Sequence, residues 1–246
     1  MRVLVSGASG AVGREILQLI ESRGDLELGG VADRSGFFSD NDMGDVLIDF
    51  SHPDLTMRCL ELAVQRSLPL VIGTTGLDGG CLERIDDASE RIPLCMAANF
   101  SIGVTVMQDL VARASAALPN VFDIEIAEAH HRRKLDAPSG TALALGEAVA
   151  AARGLALADQ AVMDRSAIRR PRPAGEIGFQ VTRGGDVVGE HRVQFLGDGE
   201  RLEVTHRATD RSIFARGALF AAEKLLGRDA GRVEFNQLVL VQNAPG

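Results

Sequence analysis

Apolar and polar positions follow two different rhythms along this chain, and the rhythm changes near residue 101. Before that point, short apolar runs alternate with amphipathic stretches. "RVLVSGA" (2–8) predicts a buried strand ending in glycine. "AVGREILQLIESRG" (11–24) has apolar residues at 12, 16, 17, 19 and 20, a helical spacing with Gly24 as its stop. "LELGGVADR" (26–34) predicts a second strand. A polar loop, 35–44, follows in the place of another β-α unit, and "DVLIDFS" (45–51) predicts a third strand. Pro53 opens a helix over 53–67 at a position where its missing N–H costs nothing. "LPLVIGTTG" (68–76) is a strand running into a glycine loop, 82–91 is helical, and "PLCMAANF" (93–100) is a further strand. Strands and helices alternating at this spacing imply an α/β fold with a doubly wound, Rossmann-like parallel sheet.

Beyond residue 101 a helix (102–118) leads into "FDIEIAEAHH", which alternates like a half-buried strand. A helix over 139–154 then has a serine at its start as a cap. Residues 159–175 form a Pro/Arg-rich loop. Three strand candidates follow, 176–183, 187–196 and 201–208, separated by the hairpin signals "RGGD" and "GDGE". They predict a smaller α+β domain with a mainly antiparallel sheet. A last helix, 211–227, has the pattern of the first part and is expected to rejoin it. The expected division is therefore 1–101 with 211–246, and 102–210.

With 246 residues, 46% of them hydrophobic, the chain can bury the cores of two such domains. Its net charge of −8 speaks against nucleic acid or an anionic membrane surface as a general partner. No apolar run reaches the ~20 residues that span a bilayer, and "MRVLVSGASG" enters a strand at once rather than a signal peptide. Cys59, Cys81 and Cys95 form no C-x-x-C pair and no zinc signature exists, so they read as reduced, buried thiols of a cytoplasmic protein and no metal is expected.

Candidate chemistry starts in the first turn. "GASGAVG" places Gly7, Gly10 and Gly13, with Ala8, Ser9, Ala11 and Val12 between them, at a strand-to-helix junction. Small residues there let the backbone approach a pyrophosphate, which lies on the positive end of the helix. Asp33 follows about 20 residues later, at the end of the second strand, where an acid binds ribose hydroxyls and favours NADH. Arg34 beside it suits a 2′-phosphate and favours NADPH, so the pair is divided. "GTTG" (Gly73, Thr74, Thr75) and "AANF" (Ala97, Ala98, Asn99, Phe100) follow the ends of later strands, the edge where such sheets bind ligands.

The densest chemistry is "EAHHRRKLDAPSGTA", residues 128–142. It holds two of the 5 histidines, and Lys134 is one of only two lysines among 26 basic residues. A lysine kept where arginine otherwise prevails suggests a proton to release. Ser139, Gly140 and Thr141 at a helix start offer N–H groups and hydroxyls to an anion. His131 adds a cation or donor, and His130 and Lys134 are two possible proton donors.

This segment resembles the long signature of the dihydrodipicolinate (4-hydroxy-tetrahydrodipicolinate) reductase family. "GASGAVG", "LIDFSHP", "VIGTTG", "AANFSIGV", "VGEH" and "ERLEVTHRATDRSIFARGAL" match it in order and spacing. The resemblance implies NADH- or NADPH-dependent reduction of 4-hydroxy-tetrahydrodipicolinate, a small dicarboxylate, in the diaminopimelate route to lysine. It implies His130 and Lys134 as catalytic, and His131, Gly140 and Thr141 as substrate ligands, to which the helix-start clamp adds Ser139. Cofactor contacts would come from residues 7–13, 33–34, 73–75 and 97–100. It further implies a homotetramer joined through residues 176–208, with 102–210 as the substrate and oligomerisation domain and the rest as the dinucleotide domain. Two departures stand out. The segment after Arg34 is short, and Ser9 and Ala11 occupy positions where some members carry basic residues. Another Rossmann oxidoreductase of amino or imino acids, and a non-catalytic nucleotide-binding regulator, are the rival readings.

Overall fold

The computed structural model describes residues 1–240, which divide into two compact units, Met1–Ile102 with the chain from Arg211 onward, and Gly103–Asp210. The first unit begins β1 (Arg2–Ser6), α1 (Ala11–Ser22), β2 (Glu27–Ala32), β3 (Val46–Asp49), α2 (Pro53–Arg66), β4 (Leu70–Ile72), α3 (Gly79–Ser89) and β5 (Pro93–Met96). The second holds α4 (Ile102–Ala117), β6 (Asp123–His130), α5 (Gly140–Ala152), α6 (Leu157–Gln160), β7 (Ala161–Val162), β8 (Ile177–Arg183), β9 (Gly189–Gly197) and β10 (Glu200–Ala208). Then α7 (Ser212–Leu225), β11 (Gly231–Glu234) and α8 (Phe235–Leu240) complete the first.

In the first unit, the sheet order is β11-β5-β4-β3-β1-β2 and every pairing is parallel. The period-2 rule sends Val3 and Val5 to one face, into a core with Ile16 and Ile20 of α1 and Ala218, Leu219 and Ala222 of α7. Leu4 and Leu47 face the other way, against Leu60 of α2 and Ile85 of α3. Pro53 sits in the first turn of α2, and Asp78 caps α3 by accepting from Cys81 N at 2.8 Å. From β1 the chain moves outward to β2 and then crosses back to β3, so the strand order reverses between β1 and β3. That reversal opens a crevice at the strands' carboxyl ends.

Residues 35–44 form no strand or helix beyond an isolated Asp33–Gly36 bridge, and β2 is the sheet edge. The segment folds back over β2, so closely that a Cβ on Gly29 would lie 2.0 Å from the Met43 carbonyl oxygen. β11 and α8 carried no sequence expectation. Both are short, and β11 pairs only with β5 at the opposite edge.

The second unit corrects two readings. Its sheet order is β10-β9-β6-β8-β7, with β6 parallel to β8 and antiparallel to β9. "GDGE" does close a hairpin, Gly197 opposite Glu200, but "RGGD" does not; the sheet is mainly antiparallel as expected, through β10-β9 and β9-β6, with β8 and β7 added in parallel. The reason is β6, whose apolar Ile124 and Ile126 are buried and whose two edges are both paired. The glycine turn crosses the end of β6 instead of folding β8 onto β9. There Gly184 N donates to His130 O at 3.0 Å, and Arg132 N donates to Gly185 O at 3.3 Å. The stretch read as loop from residue 159 also contains the end of α6 and the short β7. The core joins Ile124, Ile126, Val193 and Phe195 to Val111 of α4 and Leu145 of α5. No described helix is long and apolar enough to cross a membrane.

Candidate functional site

In the first unit a cleft of about 310 Å³ opens at the strand-order reversal. Gly7, Ser9 and Gly10 line it after β1, Asp33 and Arg34 after β2, and Phe50, Ser51 and His52 after β3. Gly7 has φ +78°, and a Cβ on Gly13 would lie 2.1 Å from the Gly7 carbonyl oxygen, so α1 starts hard against the turn. Gly10 caps α1 without a side-chain hydrogen bond, and no acid lies in the first turn, which leaves the helix N–H groups and their positive end to a ligand. Ser9 and Ala11 are exposed, Ala8 and Gly13 buried and Val12 partly buried, and Arg14 Nη1 donates to Ser9 O at 2.6 Å. Asp33 Oδ1 accepts from Ser35 Oγ at 2.6 Å and Ser35 N at 2.8 Å, bonds that hold its carboxyl below the usual range. Arg34 is exposed. These groups fit a dinucleotide: close backbone and an open helix end for a pyrophosphate, and an ionised acid for ribose.

The later loops divide their work. Asp49, fully buried, accepts from Ser51 Oγ (2.5 Å), Thr56 Oγ1 (2.6 Å) and Thr74 Oγ1 (2.7 Å), while Thr74 Oγ1 accepts from Ser51 N at 2.9 Å. The Thr74 hydroxyl is thus committed to tying two loops together, and Thr75 is the exposed one. Gly73 lies under the Phe50 ring, 2.2 Å from where its Cβ would be. Ala98 is exposed, Ala97 and Asn99 partly so, and Asn99 Oδ1 accepts from Ser101 N. The Phe100 ring is 1% exposed and packs against Phe50 and Phe235, so the side chain belongs to the core and only the backbone there is left for a ligand.

In the second unit the signature follows the end of β6. His130 is buried and His131 and Lys134 half-buried, while Arg132, Arg133 and Gly140 are exposed. The Lys134 Nζ–Asp136 Oδ1 distance is 2.9 Å, and that ammonium holds the Asp136 carboxyl below its usual range. His131 Nδ1 is buried without a hydrogen-bond partner. Ser139 caps α5, its Oγ accepting from Ala142 N at 3.2 Å. Nothing lies within 4 Å of a Cβ built on Gly140, so the fold itself does not demand glycine there, whereas a ligand resting on the helix end would.

Beneath these groups is a network absent from the sequence reading. Glu128 Oε2 accepts from His130 Nδ1 at 2.6 Å and from Arg183 Nη1 at 2.7 Å. Its Oε1 accepts from Arg183 Nη2 at 2.7 Å and Ser139 N at 3.0 Å. Burial pushes the Glu128 carboxyl up, but Arg183, His130 and the Ser139 N–H outweigh it and hold it low. Burial also depresses His130, against the pull of Glu128. His191 Nε2 sits 3.1 Å from Ser139 Oγ, and burial, then the His130 charge, push it down to about 4.

Comparison with known proteins places this arrangement. Residues 1–100 match the model "Dihydrodipicolinate reductase, N-terminus" and residues 103–239 match "Dihydrodipicolinate reductase, C-terminus". The chain belongs to the dihydrodipicolinate reductase family. A 4-hydroxy-tetrahydrodipicolinate reductase of Anaeromyxobacter sp. (strain Fw109-5) is 40% identical, with 99% of each chain covered. Another, of Caulobacter vibrioides, is 40% identical with 97% of each covered. The dipicolinate-bound dihydrodipicolinate reductase of Paenisporosarcina sp. TG-14 shares the fold, with a TM-score of 0.76 at 23% identity over 95% of this chain and 97% of that one. Within this reductase family both candidate regions lie in matched segments, the glycine cleft in the N-terminal match and residues 128–142 in the C-terminal one.

Proposed function

We propose that the chain reduces 4-hydroxy-tetrahydrodipicolinate to tetrahydrodipicolinate with NADH or NADPH, a step of the diaminopimelate route to lysine. The observation that carries this reading is the convergence after β6 of a helix start at Gly140, whose N–H faces the Asp136 carboxylate, a buried His130 and a lysine, Lys134. That set answers a small acid needing an anion clamp and a proton. The dipicolinate of the Paenisporosarcina structure is a planar dicarboxylate of the same class.

When bound, the reduced nicotinamide supplies hydride to the substrate ring. The glycine turn and the start of α1 would hold the cofactor's pyrophosphate, Asp33 would take ribose hydroxyls, and Thr75 and Ala97–Ala98 would offer it small surfaces. The N–H groups of Gly140 and Thr141, with the Ser139-capped helix end behind them, hold a substrate carboxylate, and His131 adds a donor. Lys134 Nζ or His130 Nε2 gives the proton that neutralises charge developing next to the reduced carbon, and the substrate's 4-hydroxyl leaves as water, so that hydride, proton and water together balance the conversion. The working form is a homotetramer in the cytoplasm, joined through residues 176–208.

The test is oxidation of NADH and of NADPH, followed by loss of reduced-nicotinamide absorbance. Substrate is generated in place from pyruvate and aspartate semialdehyde by the preceding synthase. Oxidation that depends on the synthase is expected, and the ratio of the two kcat/KM values gives the preference set by Asp33 and Arg34. Folded protein that binds either nucleotide and oxidises neither would refute the proposal.

A further inference from the structure

The Glu128 side chain has no exposed surface, so it touches no substrate. A carboxylate so far from water must be matched by donors, and all its acceptor sites are used, by His130 Nδ1, two Arg183 nitrogens and Ser139 N. Because an ionised carboxylate only accepts, His130 must present Nδ1–H to it. That leaves Nε2 as the nitrogen that exchanges a proton. Nε2 lies against β9, 3.0 Å from where a Cβ on Gly189 would stand, so a glycine there leaves the ring its place. Arg183 Nη2 also donates to Asp136 O at 2.6 Å, which anchors the residue whose carboxylate holds Lys134. A buried ion pair is a poor way to stabilise a fold, since an apolar pair of the same volume does as well. Orienting an imidazole is what this one is shaped for.

We propose that Glu128 and Arg183 are positioning residues for proton transfer at His130. The carboxylate, clamped by Arg183, fixes the Nδ1–H tautomer and stabilises the imidazolium when Nε2 is protonated. The inference rests on the reading of His130 as a proton carrier. The charged and titratable groups facing His130 are Glu128 on its own strand, Arg183 on β8, His191 on β9 and Lys134 in the following loop. Of these, Glu128 raises its proton affinity, and Lys134 and Arg183 lower it. Glu128→Gln and Arg183→Gln therefore act on His130 with opposite sign, a signature that loss of packing alone does not produce.

The experiment measures kcat and KM against pH for wild type, Glu128→Gln, Arg183→Gln and His130→Gln, with nitrogen NMR of the histidine rings to read the tautomer. Both network variants are expected to lose about 10–100-fold in kcat with KM within about threefold. The alkaline limb of kcat/KM should move down by about one pH unit in Glu128→Gln and up in Arg183→Gln. If His130→Gln abolishes turnover while both network variants keep the wild-type limb and tautomer, this inference alone falls. If His130→Gln turns over like wild type, the reading of His130 falls and takes this inference with it. Should Glu128→Gln fail to fold, the Arg183→Gln limb decides, and an unmoved limb overturns the proposal.

Discussion

Lys134 is half-buried and pairs at 2.9 Å with Asp136, whose carboxylate also faces the start of α5. Lys134→Arg keeps the charge but holds its proton too tightly to give it up. The expected result is a fall of about 100-fold or more in kcat with a much smaller change in KM, and steady-state kinetics at saturating NADH check it. His191 makes a different prediction, about stability. Its folded-state value of about 4 lies below the ordinary 6.5. As pH falls below 6.5 the unfolded chain takes up a proton that the native state refuses. Stability therefore declines between about pH 6.5 and 4 and levels off below, by about 3 kcal/mol at most for this group. His130 and His206, also depressed by burial, act in the same direction. His191→Gln keeps a partner for Ser139 and does not titrate, so chemical denaturation across this range should show a shallower decline. Which of these residues could be foreseen depended on distance along the chain. His130, Lys134 and Gly140 sit within one short segment, and their types and spacing are visible in it. Arg183 and His191 reach the same place from 55 and 52 residues away, through the register of β8 and β9 on β6. Nothing in their local sequence announces that register.

At the scale of elements, the start of α5 joins fold and site. Ser139→Ala removes the cap on Ala142 N and the hydroxyl facing His191 Nε2. A loss of about 2 kcal/mol is expected in chemical unfolding. Gly140→Ala should behave in the opposite way. Open space surrounds its Cβ, so stability is kept or slightly raised. Affinity for pyridine-2,6-dicarboxylate, read by calorimetry with NADH present, should fall about tenfold or more, because the methyl group occupies the ligand's approach. An unchanged affinity would remove Gly140 from the site. Strongly periodic elements such as α1, α2 and β6 were legible because amphipathic spacing is local. The "RGGD" turn misled because glycine reports only that the chain bends, whereas the partner of β8 was chosen by β6, an earlier strand with two edges to fill. β11 and α8 are too short to show a period.

For the molecule as a whole, two ligands that bind only the folded state should each stabilise it by mass action. Pyridine-2,6-dicarboxylate is expected to raise Tm by several degrees when NADH is present, and a thermal scan with each ligand alone and both together checks this. No shift under any of these conditions would leave both candidate sites without support. The division into an α/β part and a second sheet was legible from the change of rhythm near residue 101. The mixed sheet was not, because strand order is a property of the assembled sheet and not of any one segment. The first unit is built from two separate stretches of the chain. Its core takes Ala215, Ala218, Leu219, Ala222, Phe235 and Leu238 from the end of the chain, against Val3, Val5 and Ile16 from the beginning. During synthesis, when the amino-terminal part of a protein usually settles first, these opening residues must wait for partners encoded some two hundred codons downstream. The intervening unit, contiguous from Gly103 to Asp210, can close on itself as soon as it has left the ribosome. The order of birth and the order of completion are thus reversed: the core begun by β1 and α1 is closed by α7 and α8, the last elements to be made.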